Sequence, residues 1–104
     1  MFEGRFREDL LGAIDDGLLV LGEIVRQALY SHIERMYQVK REEIPDRLDV
    51  LHDTLEVVFG SGTQVIERLI AKTLCGRLGL DFIEHENWTL MKYVEDLRKR
   101  LRPE

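Results

Sequence analysis

Apolar residues recur about every 3.6 positions along almost the whole chain, and this spacing limits the fold more than any other feature of the sequence. It places the apolar side chains on one face of each successive helix, where they can pack together. Between residues 80 and 87 the pattern is short and partly alternating, which also allows an extended segment. We therefore predict an all-α fold, a compact bundle of about five helices with at most one short extended segment near 80–87.

The first two helices differ in how many apolar faces they carry. The first has one face, formed by Phe6, Leu10, Ala13 and Ile14. It breaks between Asp16 and Gly22, where Gly17 and Gly22 both permit a break. The second helix runs to about Tyr37 and has two stripes, which predicts a central helix packed on two sides. The stripes consist of Leu21, Val25, Ala28, Leu29, His32 and Met36, and of Val20, Ile24, Ile33 and Tyr37.

The remaining helix ends are predicted from local signals. A third helix stops at Gly60, and Ser61 with Gln64 has the spacing of a capping box, which starts a fourth helix at about Gly62. Gly79 ends that helix with a left-handed residue in a Schellman arrangement. Thr89 caps the last helix. The expected core face of the fourth helix is Val65, Ile66, Leu69, Ile70, Thr73 and Leu74.

Length, charge and cysteine use restrict the protein class. A chain of 104 residues fits a single helical domain spanning residues 1–104. The formal net charge of −5 disfavours nucleic acid as a partner, since phosphate neutralisation needs a basic surface. The lone Cys75 cannot form an internal disulfide, and neither a signal peptide nor a membrane-spanning stretch is recognisable. We expect a cytoplasmic protein without membrane contact, and the single asparagine beside many Arg and Glu residues suggests a thermophilic source.

The helix start at Gly60, Ser61 and Gly62 is the most site-like motif. Free amide groups and the helix dipole at such a start can bind an anion, so a phosphate-bearing ligand or a nucleic acid is one hypothesis. A tight helix–helix turn explains the same glycines on steric grounds, and we favour that interpretation. A P-loop is excluded because no Lys-Ser or Lys-Thr pair follows.

The chemistry-bearing residues otherwise form no recognisable catalytic or metal set. His32, His52 and His85 are far apart in the sequence and lack the short spacings of zinc ligands. Adjacent acidic residues such as Asp15 and Asp16 do not face each other on a helix, so we interpret them as surface residues. We therefore predict no catalytic residues, no bound metal and no cofactor, and a protein that is not an enzyme.

A short basic run lies near the C-terminus and is a candidate interaction surface. It consists of Arg98, Lys99, Arg100 and Arg102. It could bind an acidic partner or a phosphate. Cations near a helix C-terminus also complement the helix dipole, which is the interpretation we favour.

Five short stretches between Ile14 and Leu97 resemble the nitrosopumilus output domain family, fifth type. They are Leu21-Gly22-Glu23, Arg41-Glu42-Glu43-Ile44-Pro45, Val58-Phe59-Gly60-Ser61-Gly62, Val65-Ile66-Glu67-Arg68-Leu69-Ile70 and Asn87-Trp88-Thr89. The resemblance implies an intracellular helical module of archaeal origin that serves signal-transduction outputs. It implies no agreed activity and supplies no catalytic residues.

Three functional hypotheses follow from the sequence. The leading one is a non-enzymatic interaction or regulatory module that binds a protein partner or forms a homodimer through its first two helices. The alternative is a binder of phosphate-bearing ligand or nucleic acid at Gly60 to Gly62. An enzyme with an unfamiliar site ranks third, because no nucleophile–base pair is recognisable.

Overall fold

The computed structural model describes residues 2–102, which form five α-helices and two short 3₁₀-helices. The α-helices are α1 (Phe2–Leu19), α2 (Glu23–Tyr37), α3 (Leu48–Phe59), α4 (Thr63–Leu78) and α5 (Leu90–Leu101), and the 3₁₀-helices are Arg41–Asp46 and Gly60–Gly62. The predicted all-α bundle is confirmed. Within residues 2–102 no strand forms, and the segment near 80–87 is irregular, with a turn at Glu86 and Asn87.

The most extensively packed helix pair is α1 with α4, which together form the centre of the core. The predicted apolar face of α1 is fully buried there, from Phe6 through Leu10 to Ile14. Gly17 continues this face and contacts Ile70 of α4. The break that the sequence left open between Asp16 and Gly22 therefore lies after Leu19, and Gly22 adopts the positive φ of 102° that the turn requires.

The prediction that α2 packs on two sides is wrong for the isolated chain. Only Leu29, Tyr30 and Ile33 are buried, and all three point towards the rest of the bundle. Ile24 is 85% exposed and Met36 is 62% exposed. The exposed residues come from both predicted stripes, because periodicity identifies apolar positions but not which of them a neighbouring helix covers.

The start of α4 also differs from the prediction. Gly60–Gly62 forms a 3₁₀ turn that runs directly into the helix at Thr63. Gly62 has helical dihedral angles, and no side chain caps the helix start, so the predicted capping box of Ser61 and Gln64 does not form. The turn leaves no extended residue before α4 to act as a cap.

The core face of α4 is rotated relative to the expected one. Its buried residues are Thr63, Ile66, Glu67, Ile70, Ala71, Leu74 and Cys75. Val65, expected inside, is exposed. The rotation brings the charged Glu67 into the core, which the sequence analysis did not predict.

The C-terminal end of α4 and the N-terminal end of α5 form as predicted from the sequence. Gly79 has a left-handed conformation, and the Leu80 and Gly79 amides donate to the carbonyls of Cys75 and Gly76, which is a Schellman motif. The Thr89 hydroxyl accepts from the Lys92 amide and caps α5. Among residues 2–102, no helix has the length and apolar character needed to span a bilayer.

Candidate functional site

A pocket of about 240 Å³ lies where α3, α4 and the start of α5 meet, and we call it the His52 pocket. Its wall combines a buried carboxylate, an imidazole, hydroxyl groups and amides. The lining residues are His52, Glu56, Ser61, Thr63, Gln64, Glu67, Asn87, Trp88 and Thr89.

Glu67 is the buried centre of this pocket, with only 2% of its surface exposed. His52 Nδ1 lies 2.8 Å from Glu67 Oε2, and the Leu90 amide donates to Glu67 Oε1 over 3.2 Å. The carboxylate thus joins α3 and α4 to the first residue of α5. A buried charge is tolerated only when it is hydrogen-bonded in this way, so Glu67 fixes the geometry of the pocket.

The contact with Glu67 sets the protonation of His52. Partial burial lowers the pKa of this imidazole, but the hydrogen bond to Glu67 and the nearby charges of Glu67, Glu56 and Asp53 raise it, and the pKa lies above its ordinary value. In the neutral ring, Nδ1–H donates to Glu67, so Nε2 carries the free lone pair.

Thr63 belongs to the pocket wall but is almost completely buried. The residue is 1% exposed, and its hydroxyl has no hydrogen-bond partner among the described residues. Thr54 has a similarly buried and unpartnered hydroxyl but does not line the pocket. Both hydroxyl oxygens are almost wholly inaccessible, so neither of them is open to a ligand in the pocket.

The predicted anion site is only partly brought into this pocket. Ser61 lines it, whereas Gly60 and Gly62 do not. The carboxylates of Glu56 and Glu67 line the same wall, and their charge opposes a phosphate at this position. Phosphate binding at Gly60 to Gly62 therefore stays a prediction that the surrounding charges disfavour.

The predicted basic surface is divided by the fold. Arg98, Lys99 and Arg102 line a shallow groove of about 690 Å³ between α5 and the start of α3. Arg98 Nε lies 3.4 Å from Glu3 Oε1, and Lys99 Nζ lies 3.7 Å from Glu95 Oε1. Arg100 does not line the groove and pairs with Asp96 on α5. Because carboxylates already accompany most of these cations, the run is a mixed-charge surface and not a basic patch.

An exposed strip of mostly apolar residues runs along one side of α2, and we call it the outer face of α2. Its residues follow helical spacing, so they share one side of the helix. They are Ile24, Val25, Ala28, His32 and Met36. His32 is half-buried and the others are exposed.

A second polar cluster joins α1, α2 and the Arg41–Asp46 helix. Asp15 accepts a 2.5 Å hydrogen bond from the Tyr30 hydroxyl and further bonds from the Arg41 guanidinium. Desolvation raises the pKa of Asp15, but the hydrogen bonds from Arg41 and Tyr30 lower it by more, so the pKa lies below its ordinary value. The prediction that Asp15 is a surface residue is wrong, because Asp15 lies in this cluster, whereas Asp16 is exposed as predicted.

The pairing of His52 with Glu67 was missed because the two residues are 15 positions apart and lie on different helices. One signal was available: Glu67 lies four positions after Thr63 and three before Ile70, on what proves to be the buried face of α4. Within residues 2–102, no group of three potential metal ligands comes together. No family model, curated protein or solved structure matches the chain.

Proposed function

We propose that the protein is a non-enzymatic interaction module that pairs with a second copy of itself through the outer face of α2. The observation that carries this proposal is the exposure of an entire apolar helix face, with Ile24 at 85% and Met36 at 62%. Apolar strips bordered by polar residues are typical of protein interaction sites. Here Gln27, Glu34 and Arg35 border the strip.

The geometry of the strip suits a partner helix. From Ile24 to Met36 it extends about 18 Å at 1.5 Å per residue, which is three to four helical turns. Ala28 lies near its midpoint and lets two helices approach closely. A two-fold axis near Ala28 would place each strip on an identical one, as in the symmetric interfaces of most homodimers.

The charges along α2 favour an antiparallel arrangement of the two copies. Glu23 is in the first turn, and Arg35 is in the last turn. An antiparallel pair brings Arg35 of one copy to the Glu23 end of the other, but Glu23 already pairs with Arg26 of its own helix, so this attraction is a secondary contribution. The two helix dipoles also run in opposite directions, which is the favourable orientation.

The size of the strip sets the expected affinity. One face of a helix this long covers only a few hundred Å², which is at the lower end of specific interfaces. We therefore expect a reversible dimer with a dissociation constant of roughly micromolar order. Such a weak contact fits a regulated module better than a permanent oligomer.

Sedimentation velocity across the micromolar range tests the proposal. The wild-type chain should move from the 12.2 kDa monomer towards twice that mass as its concentration rises. Ile24→Asp should keep the chain monomeric, because a charge in the centre of an apolar contact is costly to bury. Val57→Asp is the matched control, since Val57 is 82% exposed on α3, outside the proposed interface, and should leave the dimer intact.

A monomer at every concentration, or equal weakening by both substitutions, would contradict the proposal. The signal-output role, the archaeal origin and the cytoplasmic location implied by the sequence are part of the same proposal. A fused sensor domain whose signal changes the dimer population would support the signal-output role, whereas the archaeal origin and the cytoplasmic location stay predictions. Phosphate or nucleic-acid binding at Gly60 to Gly62 is the alternative function. Amide NMR chemical shifts that do not change when phosphate is added would exclude it.

A further inference from the structure

We propose that the contact between His52 and Glu67 is a pH-sensitive latch for the C-terminal arm, by which we mean residues 81–101. The latch controls how often this arm detaches from α1 to α4 while those four helices stay folded. It is independent of the outer face of α2, so this inference goes beyond the proposed function.

The backbone of the arm is attached to the other helices at one position. Among the described residues of the arm, only Leu90 has a backbone group that bonds to α1–α4, and its amide donates to Glu67 Oε1 over 3.2 Å. Two ion pairs also reach these helices, but their side chains are partly exposed, and such pairs contribute little. They join Arg98 to Glu3 at 3.4 Å and Glu84 to Arg68 at 3.6 Å. The backbone attachment of the arm therefore depends on Glu67.

The arm also contributes only a small part of the core. Its buried side chains are Leu90, Tyr93, Val94 and Leu97, all on α5, and no residue of 81–89 is fully buried. By contrast, the most extensive packing in the bundle is between α1 and α4. A segment with few buried contacts opens at a lower free energy than the core of the same protein. We therefore expect the arm to detach as a unit before the whole chain unfolds.

Glu67 depends on His52 for its only nearby positive charge. No arginine or lysine is among the described residues that line the pocket, and His52 Nδ1 lies 2.8 Å from Glu67 Oε2. A protonated imidazole binds a carboxylate more strongly than a neutral one does. When the ring is neutral, the buried carboxylate keeps only neutral donors, which makes its burial more costly. Detachment of the arm then becomes easier, because it lets water reach Glu67.

The charges around His52 set the direction of the pH dependence. The groups that face this imidazole are Glu67 on α4 and the α3 carboxylates Glu56 and Asp53, while the arm presents only uncharged residues to the pocket. Desolvation lowers the pKa of His52, but the three carboxylates raise it by more, so it lies above its ordinary value. The latch is therefore strongest below about pH 6.5 and weakens as the pH rises through the folded-state pKa.

Native-state amide hydrogen exchange, measured by NMR at about pH 6 and about pH 8, tests the proposal. Each exchange rate is divided by the intrinsic rate at the same pH to give a protection factor. The amides of Leu90 and Tyr93 report on the arm, and the Ile14 amide reports on α1. We expect protection about tenfold or more lower at Leu90 and Tyr93 than at Ile14. From the lower to the higher pH, the protection of Leu90 should fall about three- to tenfold, as a charge-assisted hydrogen bond becomes a neutral one.

Two substitutions assign this pH dependence to the latch. His52→Gln keeps an N–H donor but never carries a charge, so the protection of Leu90 should change less than about twofold between the two pH values. His85→Gln is the matched control, because His85 lies in the arm and stacks on Trp88 at 3.7 Å but does not contact Glu67. In this control the fall in protection should equal that of the wild type.

Any of three results overturns the proposal. Protection at Leu90 and Tyr93 equal to that at Ile14 would show that the arm opens only when the whole chain unfolds. An equal fall in protection in His52→Gln and in the wild type would show that His52 does not control the opening. Loss of the fall in His85→Gln would assign the pH dependence to a different histidine.

Discussion

Gly17 of α1 lies so close to Ile70 of α4 that a Cβ atom placed on Gly17 would come within 2.5 Å of Ile70 Cγ1. Gly17 lies inside the helix and has no positive φ, so its role is steric. The glycine allows the two central helices to approach, and the residues around this contact are among the most deeply buried of the chain.

Replacing Gly17 with alanine should therefore destabilise the fold. Alanine favours a helix by about 0.5–1 kcal/mol, but overpacking a tight contact costs about 1–3 kcal/mol. We expect a net loss of about 1–2 kcal/mol in the free energy of unfolding, measured by urea titration with circular dichroism.

Gly76→Ala is the matched control for this prediction. Gly76 is also in a helix, but a Cβ built there meets nothing within 4 Å. This variant should be stabilised by about 0.5–1 kcal/mol through helix propensity alone. If Gly17→Ala were stabilised to the same extent, the close approach of α1 and α4 would be refuted.

The contact between His52 and Glu67 predicts a pH-dependent stability. The pKa of His52 is raised in the folded state, although desolvation acts in the opposite direction. The stabilisation is therefore fully present below the unfolded-state pKa of about 6.5 and is lost as the pH rises through the folded-state pKa. Between about pH 5.5 and pH 8.5, the wild type should lose more stability than His52→Gln.

Urea unfolding of both chains over this pH range measures the difference directly. His32 and His85 are present in both chains, so their contributions cancel in the comparison. Parallel pH profiles for the wild type and His52→Gln would show that Glu67 does not bind the protonated imidazole in the folded state.

The Tyr30 hydroxyl should contribute measurably to stability through Asp15. It donates a 2.5 Å hydrogen bond to that carboxylate, and hydrogen bonds to charged groups contribute about 1.5–3 kcal/mol. Because the Asp15 carboxylate keeps its bonds to Arg41, we expect Tyr30→Phe to cost about 1–2 kcal/mol at pH 7. Thermal unfolding followed by circular dichroism gives the value.

Tyr37→Phe is the control, because Tyr37 is exposed and its hydroxyl has no hydrogen-bond partner among the described residues. It should change the unfolding free energy by less than about 0.5 kcal/mol. Similar losses in both variants would mean that the bond to Asp15 contributes nothing specific.

The features that the sequence predicted correctly depend on residues close together in the chain. The left-handed Gly79 and the Thr89 cap act within one turn of helix, so their outcome is decided locally. The Ser61 capping box failed although its spacing was right, because the turn from α3 enters α4 without an extended residue between them. A local signal is therefore reliable only when the neighbouring element leaves room for it.

The features that the sequence did not predict depend on how helices are placed against each other. The spacing predicts two apolar stripes on α2, but it does not say which members of each stripe the bundle covers, and each stripe has both buried and exposed residues. The His52 pocket needs α3 and α4 to meet side by side and α5 to begin above them, which no residue pattern encodes directly. The position of Glu67 between apolar residues of the buried face of α4 is the one local feature that indicates this pocket.

Isotope-filtered NMR on a mixture of methyl-labelled and unlabelled chains tests most directly whether α2 pairs with a second copy. We expect contacts between copies that join the Ile24 methyl groups to the methyl groups of Ala28 and Met36. Such contacts should be absent in Ile24→Asp and present in Val57→Asp. If only contacts within one copy are observed at concentrations in the upper micromolar range, α2 does not pair with a second copy.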